Sequence, residues 1–575
     1  MTYIDLSTAI YSSELSTWQT LIYSLWAVSS VVALYLYFKF SVASFPPIVP
    51  GHWLFKNRQL VGAPWRGILI AEKYKPIYGD ILQLDELFRT RVVLNSFDSV
   101  TEVLEKRSGS TSDRPRNVML FEMTEVGQTI AFRNHDERHK KLRRVIASGL
   151  HPVAARSYAD LHTSTSAYFL HDVFTRIGID TTIAAGEELL SIKKAEQGDP
   201  NDHSKAVAES IQDAIGRFIM RMTFGHVAAE DDPILKRTNH LALFLTSNFA
   251  KHFWVNDFPL LRYIPSWLPG AGFKRLAKLI YEMRMRNLAE TFEPVLSNVM
   301  HDIPQLVSYS SNLIELKGGK SISKEDIELV KGTSASMFAG TSHLFNLVEV
   351  GYLLHAKSAG SRINNSLVHS FIFAMCIRPE IALKVQAEID IQVGRDRIPT
   401  LHDRDVLPYT DAVLQEVIRF YPVFPLGLEH CAKEDMEIRG YTIKKGTTIE
   451  GNVWAIMRDP ILYPEPNRFN PDRFLKSTPN TDPRRFLFGF GRRVCPGQHV
   501  ANNGAFTMCA AFMSVFDIVA SEETMRRVGQ CKSEPWKMFN PYGPLEPKPF
   551  GCIIRPRDAA ASAVLDACKE VAVIA

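Results

Sequence analysis

The chain has 575 residues, 46% apolar and 22% charged, with 32 glycines and 32 prolines. That is ordinary globular composition, and it excludes a wholly disordered, collagen-like or disulfide-scaffold protein. Lys+Arg is 66 against Asp+Glu 62, so a net charge of +4 offers no global basic excess and nucleic acid is not expected as a partner.

In chain order, the first feature is Thr20 to Phe38, nineteen residues without a charge. At ~1.5 Å per residue such a helix spans about 28 Å, close to a bilayer's hydrocarbon core. Trp18, Tyr35 and Tyr37 suit the interfaces, and Lys39, Lys56 and Arg58 follow. The positive-inside rule then puts the body in the cytosol. Residues 1–19 read as a short lumenal N-terminus, 20–38 as a single-pass anchor and 39–51 as a stiff hinge containing Pro46, Pro47 and Pro50. The body is expected over 52–557, with a tail over 558–575.

Ile81–Leu84 and Val92–Leu94 are β-branched runs that predict strands. Helical periods dominate from Val103 to Ile418, interrupted by a proline-rich apolar loop over Phe253–Phe273. Pro379–Val393 predicts an amphipathic helix with proline in its first turn. Asp435–Ile449 predicts short strands turning at Arg439-Gly440 and Lys445-Gly446, and Pro544–Pro556 a terminal hairpin. The expected fold class is therefore mainly α with a small β portion, preceded by one N-terminal transmembrane helix.

The seven cysteines are widely spaced and none forms a C-x-x-C pair, which favours reduced, mostly buried thiols. Cys495 stands apart. It lies in Phe488-Gly489-Phe490-Gly491-Arg492-Arg493-Val494-Cys495-Pro496-Gly497, and three glycines permit tight, positive-φ backbone around it. Approaching N–H groups, Arg492, Arg493 and the dipole of a following helix all favour a thiolate. These residues alone leave two readings open, a thiolate presented to a ligand and a structural glycine-rich turn.

This stretch resembles the haem loop of the cytochrome P450 family, Phe-x-x-Gly-x-Arg-x-Cys-x-Gly, at every fixed position. The resemblance implies a cytochrome P450 fold with haem b, Cys495 as its axial ligand, Arg493 at a propionate and Phe488 near the sulfur. Other segments are similar in the family's order. Glu416-Val417-Ile418-Arg419 and Arg473 resemble its buried Glu-Arg-Arg cluster, with a structural role. His139 and Arg143 stand where the family often has Trp-x-x-x-Arg, and His430 where it has a propionate-binding side chain. The wording at Pro425-Leu426-Gly427 and Ile264 to Pro269 looks most like fungal members of secondary metabolism.

One motif departs from the pattern. The family's oxygen-activating helix carries Ala/Gly-Gly-x-Asp/Glu-Thr-Thr, whose acid and alcohol relay protons to dioxygen. Met337-Phe338-Ala339-Gly340 begins it, but Thr341, Ser342 and His343 follow, and the ending at Ser366-Leu367-Val368 comes about twenty residues late. Counting back from that ending puts Arg362 and Ile363 where the acid and threonine belong. Three explanations compete: a true insertion with another proton path through Thr341, Ser342 or His343; chemistry needing no dioxygen protonation; or translation of a short unspliced intron, the favoured one. No catalytic acid–base residue is therefore assigned.

The resemblance implies a monooxygenase oxidising a small lipophilic substrate, terpenoid or polyketide. Electrons would come from NADPH–cytochrome P450 reductase, since no flavin or dinucleotide glycine fingerprint is present. A monomer on the endoplasmic reticulum membrane is expected. The alternatives are a haem-thiolate isomerase or dehydratase that does not use dioxygen, and a catalytically dead haem protein.

Overall fold

The two β-branched runs form a hairpin. Strand β1 (Ile81–Asp85) is antiparallel to β2 (Thr90–Leu94), with Ile81 opposite Leu94. The computed structural model describes residues 23–26, 28–31, 44–178, 203–229, 231–237, 253–342 and 363–572. Most of the Thr20–Phe38 segment lies outside these; residues 23–26 and 28–31 are helical. Among the described residues no single helix is long and apolar enough to cross a membrane.

Helix α1 (Glu137–Leu150) starts where the Asp136 carboxylate accepts from the His139 N–H at 2.7 Å. Helices α2 (Ala159–Ile177) and α3 (Ser204–Phe224) end on left-handed glycines, Gly178 and Gly225. The Phe253–Phe273 loop contains two short 3₁₀ turns, Trp254–Asn256 and Pro259–Tyr263, and leads into α4 (Gly272–Met300). Then come α5 (Lys324–Ser342) and α6 (Ile363–Cys376). Helices α7 (Pro379–Gln392) and α8 (Pro408–Phe420) each open on a proline, whose missing N–H costs nothing in a first turn.

Strands β3 (His430–Cys431), β4 (Met436–Ile438), β5 (Tyr441–Ile443) and β6 (Thr448–Gly451) follow. Arg439 and Gly440 both have positive φ, 50° and 81°, the two-residue backbone that suits a tight hairpin between β4 and β5. Strand β6 runs parallel to β2 and antiparallel to β3, giving the sheet order β1-β2-β6-β3. The Ile449 pairing fixes His430 in that sheet.

Helix α9 (Gln498–Val515) begins directly after Gly497 and runs into β7 (Phe516–Ala520). Its partner is β8 (Cys552–Pro556), so the hairpin expected within 544–556 is replaced by a long-range antiparallel pair. Pro544, Pro547 and Pro549 have no N–H to donate to a ladder, and a single bridge, Phe539 to Pro547, stands there instead. Past residue 557 the chain forms α10 (Ala559–Ala572), which packs on α2 and buries Leu565 and Cys568. One continuous core extends from Ile68 to Cys568.

A buried ionic cluster locks α8 to the loop after it. Arg419 donates twice to Glu416, Nε to Oε2 and Nη2 to Oε1, both at 2.8 Å. Glu416 Oε1 also accepts the Asn470 N–H at 2.7 Å, and Arg473 Nε lies 3.2 Å from Oε2. The remaining guanidinium hydrogens go to carbonyls, including Met457, Pro466 and Pro464. An i to i+3 pair on a solvated helix is worth only a few tenths of a kcal/mol. Here both side chains are wholly buried, so geometry decides between fold and misfold.

Candidate active site

Helices α1, α2, α3, α5, α6 and α9 enclose a cavity of about 210 Å³. Its walls are mainly apolar, with Ile146, Ile219, Met222, Met337, Leu426 and Met508 among them. One end is different in kind. Arg114, Arg143, His430 and Arg493 meet there, next to Cys495.

The cysteine loop has the bent backbone that its glycines predict. Gly489 and Gly491 have φ of 83° and 54°, and the Cys495 N–H donates to the Phe488 carbonyl at 2.8 Å. A Cβ on Gly491 would collide with the Leu104 carbonyl oxygen and crowd Ser108. We expect Gly491→Ala to cost about 2 kcal/mol or more, from strain and collision together, measurable as a lower unfolding midpoint.

The charges sit differently from expectation. Arg492 and Arg493 were expected to support a thiolate at Cys495. Instead Arg493 donates to the carbonyls of Ser112 and Arg133 at 2.6 Å and of Ile130 at 3.1 Å, and Arg492 turns outward to His135. The cation that acts on the sulfur is Arg143, anchored to the Val494 carbonyl at 2.5 Å. Burial pushes the Cys495 thiol up, while the Gly497 N–H and Arg143 pull it down. Burial wins, so a stable thiolate here calls for a further positive partner on the cavity side.

Five of the six expected site residues line this one cavity: Arg143, His430, Phe488, Arg493 and Cys495. The sixth, His139, stands one layer back, fully buried, with Nε2 2.8 Å from Arg493 Nη1. His430 Nδ1 bonds the Thr111 carbonyl at 2.9 Å, and burial pulls its pKa to about 3. Its ring is therefore neutral, with Nε2 as the acceptor nitrogen.

Sequence reasoning missed Arg114 and His162. Arg114 is buried and donates to the carbonyls of Ala131 and Glu429. Its signal was faint, a Ser-Asp-Arg-Pro run at 112–115 that breaks helical periodicity. His162 also lines the cavity, beside Gly504 of α9, stacked on Phe218 with ring centres 4.6 Å apart. Nothing in its neighbours along the chain marks it.

Arg114, Arg143 and Arg493 are largely buried, and none makes an ion pair with a carboxylate among the described residues. Burial draws each below its ordinary value. Buried cations held by neutral acceptors, carbonyls and for Arg493 also the His139 ring, call for anions. An apolar chamber with one such end, and a thiol beside it, suits a flat amphiphilic metallocofactor carrying two carboxylates.

The cytochrome P450 family model matches residues 46–342 and 363–540. Cytochrome P450 monooxygenase 208 of Postia placenta is 31% identical over 86% of each chain. Cytochrome P450 monooxygenase COX2 of Coprinopsis cinerea is 30% identical over 90% of each. A zebrafish cytochrome P450 solved with progesterone superposes with a TM-score of 0.63 at 22% identity, over 85% of this chain and 99% of that one. The chamber and cysteine loop are thus those of a haem-thiolate oxidoreductase. The chain belongs to the cytochrome P450 family, whose members use a redox partner and lipophilic substrates.

The family match skips residues 343–362, between α5 and α6. Met337 on α5 and Val368 on α6 line the same cavity. With those twenty residues removed they would stand eleven positions apart, about three turns of one helix.

Proposed function

We propose that this chain is a membrane-anchored haem b monooxygenase that hydroxylates a small lipophilic substrate in fungal secondary metabolism, terpenoid or polyketide. Electrons come from NADPH through NADPH–cytochrome P450 reductase. The observation that carries the reading is the trio of guanidiniums beside Cys495, at one end of an apolar cavity, that make no carboxylate ion pair among the described residues. Arg114, Arg143 and Arg493 would hold the haem propionates and offset the Cys495 thiolate, which would ligate the iron. When bound, haem with thiolate ligation supplies dioxygen activation. The chain's own part is to exclude water with Ile219, Met222 and Met337, and to orient the substrate by shape in an apolar space.

The endoplasmic reticulum membrane is proposed as its site. The uncharged run Thr20–Phe38 supports an anchor. Trp53, Leu260, Tyr263 and Trp267 are exposed aromatic and apolar side chains just after the hinge and on the 253–273 loop, where a lipid surface would cover them. The reading is tested with purified chain, reductase and NADPH. Substrate-dependent oxygen uptake with a hydroxylated product supports it; product formed without oxygen uptake overturns it. That second outcome is what an isomerase or dehydratase gives, and the missing acid–threonine pair favours that alternative.

We also read residues 343–362 as a translated intron, supported by the interrupted family match and by the helical register of Met337 and Val368. The transcript is expected to lack the segment. Protein made from it should unfold at a higher midpoint than the 575-residue chain, because α5 and α6 then join as one continuous helix along the cavity. A transcript that keeps the segment, in an active protein, overturns this.

A further inference from the structure

A file of polar side chains crosses the cavity wall at the start of α1. Arg493 Nη1 meets His139 Nε2 at 2.8 Å. His139 Nδ1 meets His135 Nδ1 at 3.2 Å. His135 Nε2 meets Arg492 Nη1 at 3.2 Å. The inner end, Arg493, lines the cavity; the outer end, Arg492, is exposed.

Hydrogen counting constrains this file. A guanidinium only donates, and a neutral imidazole carries one N–H and one lone pair. Arg493 needs the lone pair on His139 Nε2, which places the His139 hydrogen on Nδ1. His135 Nδ1 must then accept, so the His135 hydrogen sits on Nε2 and faces Arg492, a second pure donor. Two neutral rings thus satisfy two of the three contacts. The misfit falls on exposed Arg492, which can turn to water at little cost. Protonation of His135 reverses the order. His135 Nδ1 becomes a donor, His139 Nδ1 must accept, the His139 hydrogen moves to Nε2, and Arg493 loses its one side-chain acceptor while keeping the Ser112, Ile130 and Arg133 carbonyls.

We propose that His135 is a positioning residue that, through the tautomer of His139, tightens or loosens the hold on Arg493 at the cationic end of the cavity. This rests on the haem-thiolate reading above. The groups facing His135 are Arg493, Arg492, Lys140 and His139, which oppose its protonation, and Asp113 and Glu137, which favour it. Burial and these cations hold His135 below the ordinary histidine value. His139 lies lower still, at about 3, from burial and then Arg493, His135, Arg143 and Arg114. His135 is therefore the ring that takes the proton, and at neutral pH Arg493 is held by His139.

The test is the ferric/ferrous midpoint potential of the full-length holoprotein in lipid nanodiscs, between about pH 5 and 8. The natural chain is expected to show one upward step as pH falls, centred below the ordinary histidine value, because the Arg493 Nη1 hydrogen freed from His139, and the new charge on His135 behind it, add positive field at the cofactor edge. His135→Gln keeps an acceptor for His139 but takes no proton, so it stays on the neutral limb throughout. Arg492→Gln removes an opposing cation, so its step moves to higher pH. No step in the natural chain, a step that survives in His135→Gln, or one unmoved in Arg492→Gln overturns the proposal. The CO-bound Soret band is recorded on every sample. A natural chain without a thiolate-type band overturns the haem reading and this proposal together; a band present with a surviving step overturns this proposal alone.

Discussion

Cys495→Ser is expected to abolish the red-shifted Soret band of the reduced, CO-bound protein. The band requires a sulfur anion on iron, and a serine hydroxyl in the same bent loop is a far poorer anion. The effect should be complete rather than graded, because no second cysteine lines the cavity. Cys509 is buried on α9 and Cys431 lies on β3 behind His430, and neither faces that space. The measurement is a CO difference spectrum on protein matched for haem content by total pigment. An unchanged band in the serine variant would remove the basis for thiolate ligation and for the proposed activity with it.

Glu416→Ala should be the most damaging substitution outside the cavity. Glu416 is the carboxylate shared by Arg419 and Arg473, and all three are buried. Removing it leaves two buried guanidiniums without a counter-ion, a loss of about 3–5 kcal/mol. The neighbourhood supplies no substitute, since the remaining donors of Arg419 already reach Met457 and Pro466 carbonyls. Glu416→Gln keeps the shape and one acceptor, so it should fall between alanine and the natural residue. Chemical unfolding monitored by tryptophan fluorescence checks the order. An alanine variant within about 0.5 kcal/mol of the natural chain would show the cluster to be dispensable.

What sequence reading reached, and what it did not, follows from how each feature is built. The cysteine loop is ten consecutive residues, and its glycine angles are local, so it was legible. The Glu416–Arg419–Arg473 cluster was legible only through the family resemblance, because an i to i+3 pair alone reads as a solvated helix pair. The Arg439-Gly440 turn was legible for the same local reason as the cysteine loop. The cavity walls were not. Arg114 and His162 meet the cysteine loop only when separate elements pack around one space, and no spacing rule records that. The sulfur's electrostatics were misjudged because Arg492 and Arg493 are neighbours of Cys495 along the chain. In space their donors are taken by Ser112, Ile130, Arg133 and the histidines, and Arg143 acts from another helix. The 544–556 hairpin failed because Pro544, Pro547 and Pro549 lack the N–H groups that a ladder needs.

The parallel pairing of β2 with β6 has a consequence for biogenesis. Asn95, just after β2, bonds Asn452, just after β6, across 357 positions of sequence. At roughly 5–20 residues per second, translation takes roughly 20–70 s to supply the second strand after the first has emerged. Until then β2 has β1 on one edge and nothing on the other, an open ladder facing solvent. Nascent chains should therefore depend on holding chaperones during synthesis, and cofactor uptake should wait for the ribosome to finish.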